Sequence, residues 1–146
     1  MAYEQLRLDH QLCFRLYTAS RLIVQGYQPF LPQLGLTYTQ YIVMMVLWEK
    51  DSQTVGEIGS KTKLDTNTLT PLIKRLEGEG RVKRSKGKQD GRQTIVSLTP
   101  KGRKLEAEAA KVPGCLADEL HTCNVQDADM IQLAGLLDKL IEKLSK

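Results

Sequence analysis

The stretch LDTNTLTPLIKRLEGEG, residues 64–80, limits the fold of this chain more than any other. Its large apolar residues recur at helical spacing, and the two glycines near its end are typical of a helix terminus. RVKR at 81–84 and QTIVSL at 93–98 then predict two short strands. Because residues 85–92, SKGKQDGR, combine turn formers with charge, we expect the two strands to form a hairpin with a basic tip.

The start of this helix is open to two interpretations. Local rules favour Thr70 as the N-cap, with Pro71 at the first helical position, where its missing N–H group costs nothing. A start near Asp65 or Thr66 would place Pro71 inside the helix, with one hydrogen bond lost and a bend.

Two shorter helices are predicted before this one. Thr37 and Gln40 have the spacing of a capping box, and the apolar run YIVMMVLW that follows belongs in a core. Thr54 starts a second short helix, in which Ile58 is an inward position. Two short helices, a longer helix and a basic hairpin follow one another as in a winged helix-turn-helix. We therefore predict a mainly α fold with a small β-hairpin wing, and we assign residues 37–99 to the winged helix-turn-helix DNA-binding region.

Further helices are predicted on both sides of this region. The first covers about residues 4–26 and carries one apolar stripe. A polar helix is capped by Thr99 and runs to about Glu119, interrupted by Pro113 and Gly114.

The last helix, which we expect to begin at Asn124, carries an apolar seam of two heptads. The seam repeats at intervals of three and four residues: Met130, Leu133, Leu137, Leu140 and Leu144. The terminal helices thus offer more apolar surface than one small winged domain can cover. We expect residues 1–36 and 100–146 to form a helical dimerisation region, intertwined with residues 37–99 in a homodimer. The alternative is that these helices fold back on their own domain.

The charge of the chain is concentrated in one region. The net charge is only +4, but residues 74–104 hold eleven basic residues against three acidic ones. Such a local positive field on a mildly acidic body is typical of a surface that binds a polyanion. The alternative is a charged face that only keeps the protein in solution.

A helix with one apolar and one polar side fits the major groove of double-stranded DNA. The residues predicted to contact DNA lie on the polar side of the 65–80 helix and on the hairpin: Thr66, Asn67, Thr68, Thr70, Lys74, Arg75, Arg84, Lys86, Lys88, Asp90 and Arg92. Arg92 at the hairpin tip is expected in the minor groove, and the lysines are expected at phosphates. Two such helices in a dimer would lie about 34 Å apart on a pseudo-palindromic operator.

Three cysteines without an export signal indicate reduced thiols and a cytoplasmic protein. No run of residues is long and apolar enough to predict a membrane-spanning helix, and no cofactor is predicted. A zinc site at Cys115, His121 and Cys123 is disfavoured, because the spacing is unusual and there is no evident fourth ligand.

From Leu12 onward the chain resembles the MarR-type winged-helix repressors, and within them the organic hydroperoxide resistance regulators. The resemblance rests on several stretches in order: QLCFRLY, LTYTQYIVMMVLWE, LDTNTLTPLIKRLEGEG, DGR and VSLTPKGR. It implies that Arg92 enters the minor groove and that Asp90 orients it by a salt bridge. It also favours the early helix start near Asp65.

The same resemblance implies a redox sensor at Cys13, within the QLCF sequence. Tyr27 and Tyr38 of the other subunit are then expected to hydrogen-bond its sulfur. Some relatives have a second cysteine that resolves the oxidised sulfur, and here Cys123 is our first candidate and Cys115 the second. The attacking species is the thiolate, and we expect Cys13 to lie too far inside its helix for the N-terminal dipole alone to stabilise it.

The sequence therefore predicts a DNA-binding repressor, not an enzyme, that leaves its operator when organic hydroperoxide oxidises Cys13. Two alternatives stay open at this point. One is a repressor released by an aromatic or lipophilic ligand, and the other is a thiol peroxidase that uses Cys13 and a second cysteine.

Overall fold

The computed structural model describes residues 3–145, which form eight α-helices and one three-stranded sheet. In chain order these are α1 (Leu12–Gly26), α2 (Leu31–Leu34), α3 (Tyr38–Glu49), β1 (Gln53–Thr54), α4 (Val55–Thr62), α5 (Thr66–Gly78), β2 (Val82–Lys86), β3 (Thr94–Leu98), α6 (Pro100–Ala109), α7 (Val112–His121) and α8 (Asp127–Leu144). The predicted fold class, mainly α with a β-hairpin wing, is confirmed. The predicted dimerisation regions include residues 1, 2 and 146, which lie outside the described residues.

Capping boxes fix the starts of α3 and α4. The Thr37 hydroxyl accepts from the Gln40 N–H at 3.3 Å, and the Gln40 side chain accepts from the Thr37 N–H at 3.0 Å. Thr54 and Glu57 repeat the arrangement at 3.0 and 3.2 Å. Two backbone donors that a helix would leave unpaired are thus satisfied at each start.

Helix α5 begins at Thr66, so the interpretation that made Thr70 its N-cap is wrong. The Asp65 side chain is the cap and accepts from the Thr68 N–H at 2.9 Å. The early start extends the helix over Leu69, which is 1% exposed, so burial of this side chain adds to the cap. Together they outweigh the hydrogen bond that Pro71 removes inside the helix.

The sheet contains one strand more than the sequence predicted. The strand order is β1-β3-β2, and both pairings are antiparallel. In the predicted hairpin Val82 lies opposite Leu98, and Lys86 opposite Thr94. The added strand, β1, has only two residues and pairs with β3 through Gln53 opposite Val96.

The first helix is shorter than predicted. Residues Glu4–Leu6 and Leu8–His10 form two 3-10 turns, and α1 starts only at Leu12. Arg7 and Gln11 have extended backbone between these elements, and the Gln11 amide donates to the Arg7 carbonyl at 2.9 Å. These local bonds replace the helical ones that the apolar stripe had suggested.

The later helices also differ from the prediction. The polar helix is two helices, and the break falls at residues 110–111. Pro113 lies in the first turn of α7, where proline is tolerated, so it does not interrupt a helix. The last helix begins at Asp127, because Asn124 has a left-handed backbone with φ of 66° and the Gln126 N–H donates to the Asp129 carboxylate at 3.1 Å.

The chain divides into two compact units, the first ending at Val112 and the second beginning at Pro113. In the first unit, α3, α4, α5 and the sheet enclose the core, with Met44, Leu47 and Ile58 at 0% exposure. Neither α1 in the first unit nor α8 in the second has a buried residue. Most large apolar side chains of α8 are exposed, including Leu133, Leu136 and Leu140 at 41–52%, while Met130 and Leu137 are half-buried.

Candidate nucleic-acid interface and thiol site

Helix α5 has one buried and one open side. The buried side packs into the core of the first unit and consists of Leu69, Leu72, Ile73 and Leu76. On the other side, the predicted DNA contacts are exposed apart from Thr70, which is half-buried: Thr66, Asn67, Thr68, Lys74 and Arg75. The helix can therefore present hydroxyls, an amide and two cations to a groove without disturbing its packing.

The hairpin tip is closed by main-chain bonds. The Gly87 N–H donates to the Gln93 carbonyl at 2.9 Å, and the Gln93 N–H donates to the Asp90 carbonyl at 3.1 Å. The Asp90 carboxylate accepts from the Arg92 N–H at 2.9 Å. The expected salt bridge between Asp90 and the Arg92 guanidinium is not among the ion pairs of residues 3–145. The Asp90 carboxylate therefore bonds the backbone of the turn. It does not pair with the guanidinium of Arg92, whose side chain is exposed.

A cleft of about 340 Å³ joins the wing to the helices. It is lined by the start of α4, the start of α5 and the base of the wing: Thr54, Val55, Gly56, Thr66, Thr70, Arg92, Gln93 and Thr94. The structure thus brings Thr66, Thr70 and Arg92 together on one surface. Sequence reasoning missed the contribution of residues 54–56, although the capping-box spacing of Thr54 and Glu57 marked a helix start there.

Arg84 has a protein partner, which the sequence did not suggest. Its guanidinium and its N–H group both donate to Glu77, at 3.0–3.1 Å, so the carboxylate ties β2 to α5. These hydrogen bonds, first from the side chain and then from the backbone of Arg84, lower the pKa of Glu77. Lys86 and Lys88 are exposed further along the wing.

Cys13 is exposed and is the second residue of α1. The prediction that it lies too far inside its helix for the dipole is therefore wrong, because the helix starts eight residues later than expected. The N-terminal end of a helix favours a negative charge within its first turn. The Cys13 sulfur therefore belongs to the turn at the positive end of the helix dipole.

Tyr27 and Tyr38 lie side by side at the other end of α1. Their ring centroids are 5.0 Å apart, and Tyr41 is 5.9 Å from Tyr27. Burial raises the pKa of Tyr27, and the neighbouring phenols of Tyr38 and Tyr41 raise it further. Tyr27 therefore stays a neutral hydrogen-bond donor.

Cys13 and this tyrosine pair are far apart within one chain. Fourteen residues of helix separate Cys13 from Tyr27, which is about 21 Å at 1.5 Å per residue. Within one chain the tyrosines are therefore too far from Cys13 to hydrogen-bond its sulfur.

The remaining thiols lie in the second unit. Cys115 in α7 and Cys123 after it are both exposed, and the Cys123 thiol lies 3.9 Å from the Glu119 carbonyl oxygen. His121 Nε2 lies 2.7 Å from the Asp127 carboxylate. Within residues 3–145 no group of three or more potential ligands is placed to hold a metal ion. Across the same residues no helix has the length and apolar character needed to cross a membrane.

An exposed polar helix face beside a basic β-hairpin, packed on two shorter helices, defines a winged helix-turn-helix DNA-binding protein. Comparisons with known proteins narrow this class. Residues 25–109 match the family described as "Transcriptional regulator SarA/Rot". The organic hydroperoxide resistance transcriptional regulator of Bacillus subtilis is 37% identical over 97% of this chain and 95% of its own length.

Two solved structures of AbfR, a protein of Staphylococcus epidermidis, are also similar. Reduced AbfR bound to DNA has a TM-score of 0.77 at 38% identity, covering 99% of this chain and 100% of that one. Disulfide-formed AbfR has a TM-score of 0.65 at 41% identity, covering 94% and 95%. The chain belongs to the MarR-type winged-helix transcriptional regulators, in the branch of the organic hydroperoxide resistance regulators.

Proposed function

We propose that this protein is a homodimeric, cytoplasmic repressor that binds a pseudo-palindromic operator while reduced and leaves it when organic hydroperoxide oxidises Cys13. The observation that carries the proposal is the placement of one exposed thiol in the first turn of α1, with a neutral phenol donor at the far end of the same helix. A reduced, DNA-bound state and a disulfide state both exist for AbfR, and these related structures support a redox switch.

The oxidation has two steps. The Cys13 thiolate attacks one oxygen of the hydroperoxide, an S–O bond forms, and the O–O bond breaks. The leaving alkoxide takes up a proton as alcohol, and the sulfur becomes a sulfenic acid. A second thiol, Cys123 or Cys115, can then displace water from the sulfenic acid and form a disulfide. In this proposal Tyr27 and Tyr38 of the other subunit hydrogen-bond the thiolate and hold it in position.

In this proposal the exposed apolar faces of the terminal helices bind the second copy of the chain. Helices α1 and α8 have no buried residue in the single chain, and Leu144, at the end of the seam, is 74% exposed. Such faces are costly in water and are covered in stable assemblies. A dimer would place two α5 helices about one helical turn of DNA apart, roughly 34 Å, and oxidation would spoil this spacing.

On DNA, each α5 would present Thr66, Asn67 and Thr68 to base edges, while Arg92 enters the minor groove. The exposed Lys86 and Lys88 would contact phosphates. Arg84 fits a phosphate role less directly, because Glu77 already neutralises it. Since the protein reports oxidation by leaving DNA, we infer that each Cys13 reacts once per signalling event and that the protein is not an enzyme.

The proposal is tested with a duplex of about 30 base pairs selected from a random library by the reduced protein. Fluorescence anisotropy should show that cumene hydroperoxide releases this DNA from the wild type and not from Cys13→Ser. Cys115→Ser and Cys123→Ser test the resolving step, since each removes one of the two exposed thiols that could form the disulfide with Cys13. Equal release from wild type and Cys13→Ser would refute the sensor role.

The same samples separate the remaining interpretations. Non-reducing mass spectrometry after one equivalent of peroxide identifies the thiol joined to Cys13. Release by an aromatic compound with all thiols blocked would favour a ligand-controlled repressor instead. Sustained peroxide consumption in the presence of a reductant would favour a thiol peroxidase.

A further inference from the structure

Arg81 lies between the end of α5 and the start of β2, and it is only 9% exposed. Burial lowers the pKa of its guanidinium, although an arginine stays charged at any physiological pH. A charge removed from water is tolerated only when partners replace the solvent. Losing a hydrogen-bond partner of the Arg81 guanidinium is therefore costly.

The side chain of Arg81 is bonded to the segment that joins the two tyrosines. Its Nη2 donates to the Leu34 carbonyl at 3.1 Å, and its other terminal nitrogen forms an ion pair with Glu79. Leu34 ends α2, about midway between Tyr27 and Tyr38. The next residue, Gly35, has φ of 69°, and a Cβ there would collide with Nη2. The close approach therefore depends on glycine at this position.

The backbone of Arg81 is bonded to the DNA-binding elements. Its N–H donates to the Leu76 carbonyl near the end of α5, at 3.0 Å. Its carbonyl accepts from the Thr99 N–H just beyond β3, at 3.1 Å. A Cβ on Gly102 would collide with the same carbonyl oxygen, so α6 packs directly against this peptide. Arg81 thus cannot move without moving the end of α5 and the base of the wing.

We infer that Arg81 is the positioning residue through which the tyrosine segment, residues 27–38, controls the DNA-binding surface. When the sulfur that faces the tyrosines changes from thiolate to an oxidised form, the tyrosines shift and the Leu34 carbonyl shifts with them. The buried guanidinium follows its acceptor, because losing it would leave a buried charge short of a hydrogen bond. The peptide of Arg81 then carries the shift to α5 and the wing.

This inference rests on the proposed function, and its test is the ratio of two dissociation constants. The quantity is the Kd for the selected duplex after cumene hydroperoxide divided by the Kd before it. Arg81→Met keeps the length and apolar stem of the side chain but removes both its hydrogen bond to Leu34 and its ion pair with Glu79. We expect this variant to lower the ratio by about tenfold, within the usual range of coupling between sites. A loss of stability alone would weaken both states together and leave the ratio unchanged.

Two further variants keep the test sharp. Arg103→Met is the control, because Arg103 on α6 also forms an ion pair, with Asp51, but its hydrogen bond goes to Asp51 as well and not to residues 27–38. Its ratio should equal that of the wild type. Arg81→Lys keeps the buried cation but cannot hold Leu34 and Glu79 together, so its ratio should fall about threefold. This variant decides the matter if Arg81→Met does not fold.

The outcomes separate the inference from the proposed function. A wild type that keeps its DNA after peroxide refutes the proposed function, and the inference with it. A wild type that is released, with folded Arg81 variants whose ratio stays within twofold of it, refutes the inference alone. An equal fall of the ratio in Arg103→Met also refutes it.

Discussion

Removing the N-cap of α5 should weaken both the fold and the binding of DNA. Asp65 accepts from the Thr68 N–H at 2.9 Å, and the first turn that it closes carries Thr66, Asn67 and Thr68. Asp65→Ala removes the bond, and the loss of such a cap costs about 1 kcal/mol. For a chain of this size that corresponds to a decrease in Tm of about 3 °C.

The effect on DNA affinity follows from the competing helix start. Without Asp65, a start at Thr70 with Pro71 in the first turn becomes competitive, and the preceding turn frays. Binding to the groove must then order this turn again, at up to about 1 kcal/mol for each protomer. The Kd should rise up to about fivefold for each half-site.

Asp65→Ser is the matched control, because it removes the same negative charge but keeps a capping oxygen. Differential scanning calorimetry and fluorescence anisotropy on the selected duplex compare the two variants. The Ser variant should retain the wild-type Tm within about 1 °C. If Ala and Ser variants agree in both Tm and Kd, the cap does not hold the recognition turn and the reasoning fails.

Three further predictions concern the wing and the dimer. Lys86→Ala combined with Lys88→Ala should make the negative slope of log K against log salt shallower by about 0.9 for each phosphate that the variant no longer neutralises, measured by titration at several salt concentrations. An unchanged slope would place these lysines off the DNA. Arg84 lowers the pKa of Glu77 in the folded protein below 4.5, its value in the unfolded chain. The Glu77 carboxylate therefore stabilises the fold fully above pH 4.5, and this stabilisation is lost as the pH falls through the lower pKa of the folded state. The Tm advantage of wild type over Glu77→Gln should therefore shrink in acid, and a constant difference from pH 7 to pH 2 would contradict this. Leu140→Glu puts a charge in the α8 seam and should shift sedimentation from dimer to monomer, whereas Glu142→Gln should not.

Much of the site could be predicted from local patterns. The capping boxes at Thr37 and Thr54 and the β2–β3 hairpin depend on neighbouring residues, so the sequence displays them directly. The polar side of α5 was visible for the same reason, because helical spacing separates it from the buried leucines. The assignment of Cys13, by contrast, came from a family resemblance and is still a prediction for this chain.

Other features could not be predicted because their partners are distant in sequence. The two-residue strand β1 has too little pattern of its own and exists because β3 pairs with it, 43 residues later in the register of Gln53 and Val96. The bond from Arg81 to the Leu34 carbonyl spans 47 residues. Arg84 looked like a free cation until the fold placed Glu77 beside it.

The sequence by itself determined the order of the helices, the basic wing and the polar face of α5, since each follows from spacing within a few residues. Tertiary structure decided where α5 begins, because burial of Leu69 together with the Asp65 cap outweighs the bond lost at Pro71. It also decided which basic side chains form ion pairs: Arg81 and Arg84 have carboxylate partners, while Lys86 and Lys88 are exposed. The physical reason is the same in both cases: burial and charge pairing depend on contacts between residues that only the folded chain brings together.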